Sequence, residues 1–175
     1  MFKFKKKKEN PVEKNGGEKP SPEEMYHDLR NMALGVEASQ LSVEPGNECP
    51  VYGAVIDLCL GDNTATMISM LDGTVSLYYG TGGGIIGVGE RYEEVREQGF
   101  SLLANAVQLL GYFDVTDNYS LPEEDGACHA FFLTDDGVYK AAFHMDRDDE
   151  GDEYDFLNGF IQNLLTSIRV STEGI

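Results

Sequence analysis

An Asp-Gly pair at positions 72–73 separates two short runs, Thr64–Leu71 and Thr74–Tyr79, both rich in apolar and β-favouring residues. Asp-Gly between such runs is among the strongest short-range hairpin signals, because glycine supplies the positive φ a tight turn needs. The strands on either side therefore run antiparallel, which excludes a parallel βαβ unit here. A turn at Asp72-Gly73 predicts Ile68 opposite Leu77 and Met67 opposite Tyr78. A third run, Val51–Leu60, ends at Gly61-Asp62-Asn63 and extends the hairpin into a meander. A second hairpin is expected over Ala127–Met145, turning at Asp136-Gly137.

Helices flank these strands. Ser21 with Pro22 and Glu24 is a capping box with proline at the first helical position. Behind it Met25, Leu29, Met32 and Val36 recur at helical spacing and predict a buried stripe. A long helix is expected over Glu90–Leu110, with Gly111 as its cap. A last one is expected over Glu153–Arg169, carried by Phe156, Leu157, Phe160, Ile161, Leu164, Leu165 and Ile168. The expected order is α-β-β-β-α-β-β-α: an α+β domain with a five-stranded antiparallel sheet and three helices. In element order, size and acidity this is similar to class I type III secretion chaperones. That resemblance implies an acidic dimer that binds unfolded segments of other proteins.

Charge divides the chain at about residue 20. Residues 1–20 hold seven lysines and three glutamates, a net +4. The remainder carries −22 of the total of −18. The first segment, Met1-Phe2-Lys3-Phe4-Lys5-Lys6-Lys7-Lys8 onward, lacks apolar periodicity and is expected to be a disordered, solubilising tail ahead of a single domain from residue 21. Its lysine run is followed by no apolar stretch of the kind a secretory signal requires. Phe2 and Phe4 among lysines also suit contact with an anionic membrane surface. No run approaches the roughly 18–20 apolar residues of a membrane span. The acidic body disfavours nucleic acid and favours basic protein surfaces or cations. Three cysteines, Cys49, Cys59 and Cys128, form no CxxC pair, which fits a reducing cytoplasm.

The run Gly80-Thr81-Gly82-Gly83-Gly84-Ile85-Ile86-Gly87-Val88-Gly89 matches G-x-G-x-x-G between a strand and a helix. In dinucleotide folds that spacing brings backbone amides to a pyrophosphate. Here a meander precedes it, no strand-end carboxylate follows about 20 residues on, and Glu90, Glu93 and Glu94 occupy the first helical turns. Two readings remain: a close-packed crossing that tolerates no side chains, or a loop that grips a peptide backbone or small ligand through Thr81, Gly82, Gly83, Gly84, Gly87 and Gly89.

Asp146, Asp148, Glu150 and Gly151 copy the early positions of an EF-hand loop, but Leu157 stands where the bidentate glutamate belongs. The three acids are at most cation-site candidates, the alternative being a solvated loop. With the turn at 136–137, His129 faces His144, a pair that could offer two nitrogens to a metal. Asp57 interrupts the apolar run Val55-Ile56-Asp57-Leu58; it marks either the wetter face of a strand or a buried functional carboxylate. No activated nucleophile is visible and no cofactor is expected. The leading expectation is a non-enzymatic protein-binding module of chaperone, immunity or adaptor type, with a homodimer as one way to cover apolar strands. The alternative is a small-ligand binder or enzyme built on the Gly82–Gly89 loop.

Overall fold

The Ser21 cap forms as the sequence requires. Its hydroxyl accepts from the Glu24 amide at 3.1 Å, and the Glu24 carboxylate accepts from the Ser21 amide at 2.8 Å. This opens α1 (Pro22–Leu34) in a computed structural model that describes residues 19–43, 45–46, 49–147 and 151–173. Strands β1 (Gly53–Leu60), β2 (Asn63–Met70), β3 (Val75–Tyr79) and β4 (Gly84–Ile85) follow. Next come α2 (Val88–Arg91), α3 (Glu93–Leu109), β5 (Asp114–Val115), β6 (Ala127–Thr134), β7 (Gly137–His144) and α4 (Asp152–Thr172). Apart from Lys19 and Pro20, the expected tail lies outside the described residues.

The fold is α+β, but not the five strands and three helices expected. The described residues form four helices and one seven-stranded antiparallel sheet, ordered β4-β3-β2-β1-β6-β7-β5. The two additional strands are two-residue edge pairings, too short to leave a periodic signal. Edge strand β4 arises inside the glycine run. The element order shared with secretion chaperones is lost with them.

Both hairpin registers also differ from expectation. The first turn uses three residues, Leu71-Asp72-Gly73, with the Met70 amide donating to Thr74 O at 2.9 Å and Gly73 at φ +89°. Met67 therefore faces Leu77, and Ile68 faces Ser76. A slip of one residue moves side chains to the opposite face. The second hairpin turns at Asp135-Asp136, so His129 pairs with Ala142 and His144 with Ala127.

The sheet separates two apolar clusters. On one face α3 and α4 pack over Ile56, Leu58, Met67, Cys128, Ala130 and Phe132, sealing a continuous core. On the other face α1, with Val36, Ala38 and Leu41 after it and Leu121, lies over Val55, Ile68, Met70, Tyr78, Phe131 and Leu133. α1 is a single 13-residue helix, about 20 Å long, against the two longer helices on the first face.

Candidate functional site

The α1 face is organised around a buried charge. Asp57 is fully buried in the central strand β1. It is therefore not on a wet strand face. Its neighbours across the sheet are Thr66 on β2 and His129 on β6. Arg30 reaches down from α1 and donates to it through Nε at 3.0 Å and an Nη2 contact of 2.6 Å. Thr66 Oγ1 also donates to Asp57, at 2.6 Å. The Thr66 proton being committed, the Tyr26 hydroxyl must be the donor in its 2.7 Å bond to Thr66. Burial pushes the Tyr26 phenol above its usual pKa, which keeps that donor protonated. The second role of Arg30 Nη2 is a 2.7 Å bond to Tyr119 O, tying the loop after β5 to the helix.

Around this pair, the Arg30 guanidinium and the Lys140 ammonium each lie over the Phe131 ring, at 5.8 and 5.5 Å from its centroid. His129 Nδ1 donates to Ser120 O at 2.8 Å. Burial pulls the His129 pKa below its usual value, and nearby Lys140 lowers it further against the opposing pull of that hydrogen bond. Tyr26, Thr66, Asp57 and Arg30 form one chain of hydrogen bonds, which anchors α1 to the central strands.

Using Tyr26, Arg30 and Ala33 as its buried face rotates α1 away from the expected stripe. Met25 is 50% exposed and Met32 46%, while Leu29 is half-buried. The two polar anchors decide the rotation, because an unpaired Asp57 would cost far more than a half-exposed methionine. The displaced stripe then faces β3 and the glycine run across an open groove. One half, about 300 Å³, lies over Ile68, Met70 and Ser76 and reaches Glu90. The other, about 320 Å³, lies between Pro20, Pro22 and Met25 on one side and Gly82–Gly84 on the other. Leu29, Tyr78 and Ile86 line both halves, which makes them one trough. Ile86 is 62% exposed on its rim.

The six residues proposed from the glycine run do not all line one pocket. Gly82, Gly83 and Gly84 line one half of the trough, and Gly87 lines the other. Gly84 is held by close approach: a Cβ there would lie 2.3 Å from Leu77 O, at φ +150°. Gly89 is buried against the first hairpin, its hypothetical Cβ 2.4 Å from Gly73 O. Thr81 points elsewhere, its hydroxyl accepting a 3.4 Å bond from Asn63. The amides of Gly82 and Gly87 already donate to Tyr79 O and Ser76 Oγ. No cradle of open amides for a phosphate results.

The metal candidates separate likewise. The repaired register ends the face-to-face histidine pair, and His144 Nε2 donates to Asp125 O at 2.7 Å while its Nδ1 accepts from the Asp146 amide. Asp148 and Glu150 lie outside the described residues. Among the described residues no group of three or more His, Cys, Asp or Glu could hold a metal ion. No described helix is long and apolar enough to cross a membrane.

Sequence reasoning missed Arg30, Tyr26 and Thr66 as partners of Asp57, and it assigned Met25, Leu29 and Met32 to the core instead of to a groove. No protein-family model, curated protein or solved structure matches this chain.

Proposed function

We propose that this protein is a non-enzymatic binding module that holds a short apolar segment of another protein, flanked by basic residues, in the groove between α1 and β3–β4. The observation carrying this reading is that exposed Met25 and Met32, with half-buried Leu29 between them, face Ile86 and Tyr78 across an open trough. Contiguous exposed apolar surface rimmed by polar groups marks interaction sites. Methionine side chains are long and unbranched, and adapt to more than one apolar partner. Basic flanks follow from the −22 body and from Glu90 in the lining of the trough. Opposite charge speeds encounter and makes binding salt-sensitive.

Each half of the trough is also near the lower size limit of small-molecule sites, roughly 300 Å³, so a small apolar ligand is the second reading. A reducing, cytoplasmic setting goes with either, since the three thiols are free.

Selection from a displayed random-peptide library tests the leading reading. The expected consensus has two or more apolar residues beside Lys or Arg. Its affinity should fall with added salt and be lost in Ile86→Glu, with the melting temperature unchanged. Failure to enrich any sequence, or binding indifferent to Ile86→Glu, would contradict it.

A further inference from the structure

The groove has a wall made by the chain's own entry into α1. Pro20 and Pro22 line one end of it, so the segment before Ser21 arrives at the trough itself. That segment has the chemistry the groove would select on the reading above, on which this inference rests. Phe2 and Phe4 alternate with Lys3 and Lys5, and three further lysines follow. Residues 1–20 carry +4 against −22 for the body. The sixteen residue steps from Phe4 to Pro20 can span up to roughly 50 Å. The trough runs beside α1, itself about 20 Å long, so reach does not limit the contact.

We propose that the groove is occupied in cis by the chain's own basic segment Phe2–Lys8, and that a partner's segment binds by displacing it. Bound in extended form, Phe2 and Phe4 would share one side of the segment and would meet Met25, Leu29, Met32 and Ile86. The intervening lysines would project from the other side, over the acidic body with its net −22. Tethering gives the segment an effective concentration on the order of millimolar, so even a weak contact is well populated. A partner then meets a competitor, and its apparent affinity falls by the fraction of molecules left open. Basal occupancy of the exposed stripe would also limit non-specific association.

The test uses the full chain with 13C-labelled methionine methyls, as wild type and as Phe2→Ser/Phe4→Ser, alone and with the library-selected peptide. The proposal expects the Met25 and Met32 methyls to lie upfield in the wild type through aromatic ring currents. They should move downfield in the double variant while Met67, buried on the opposite sheet face, stays in place. These positions should not change on dilution, and the peptide should bind the double variant several-fold more tightly. Identical Met25 and Met32 positions in the two proteins would overturn the proposal, and so would shifts that vanish on dilution, which would point to a second copy's segment. If the proposal fails and the peptide still moves both methyls, the groove reading survives. If the peptide moves neither methyl in either protein, both fall.

Discussion

The two faces of the sheet are built on opposite principles. The α3/α4 face is closed by two long helices, and Ile56, Leu58, Met67, Ala130 and Phe132 are buried beneath them. The α1 face has one short helix, held by a buried ion pair, with an apolar trough along its flank. Stability can come from the first face because burial there is complete. The second face leaves an apolar stripe in reach of water, a disposition that serves binding better than folding. The ion pair explains how both can coexist: Arg30 and Asp57 fix α1 in one orientation without using the apolar stripe to do so.

That contrast makes graded predictions. The largest effect should come from Arg30→Met, which leaves Asp57 buried without its cation and should cost about 3–5 kcal/mol in urea unfolding. Adding Asp57→Leu should return most of that loss, because two apolar groups of similar volume replace the pair. A double variant no more stable than Arg30→Met would mean the pair does more than anchor α1. On the closed face, Leu103→Ala should cost about 2–5 kcal/mol through the cavity it leaves. Gly84→Ala comes next. Its Cβ would collide with Leu77 O, so β4 should detach at a cost of about 1–3 kcal/mol, seen as faster amide exchange at Tyr78 and Ile85.

A smaller effect depends on pH. His129 has its pKa lowered by burial in the folded state, so the unfolded chain binds more protons as the pH falls. The stabilisation is present above the ordinary histidine value of about 6.5 and is lost as the pH drops through the folded value. Stability should therefore decline as the pH falls below about 6.5, and His129→Asn should flatten that part of the curve. Smallest of all, Met32→Ala and Ile86→Ala should change stability by no more than about 0.5 kcal/mol, because both side chains are already half in water. Equal costs on the groove and on the closed face would erase the distinction between them.

Much of the fold could be read from local signals. The Ser21 capping box, the strand runs and the apolar faces of α3 and α4 depend on neighbours in sequence, and they appear where local chemistry puts them, except that Phe156 on α4 is exposed. The registers could not be read so simply. Whether Asp72-Gly73 closes a two-residue or a three-residue turn depends on Gly73 packing against Arg96 and on the hairpin's fit beneath α2, which are distant contacts. The two-residue strands β4 and β5 exist only because longer strands offer them an edge. For the site, Asp57 was the available clue. A carboxylate within an apolar run needs a cation if it is buried, and the body has only six Lys and Arg, of which Arg30 follows Tyr26 by four helical positions. The groove left no such clue, since Met25, Leu29 and Met32 have the spacing of a core stripe. Only the rotation imposed by the Arg30–Asp57 pair turns them outward.

The most direct test of the central claim, that the α1 face is the binding face, is a methionine-methyl titration of the full chain with the selected apolar-basic peptide. The account predicts saturable shifts at Met25 and Met32, smaller ones at Met70 on the groove floor, and none at Met67 beneath α3 and α4. Shifts confined to Met67, or binding with no change at Met25 and Met32, would contradict it.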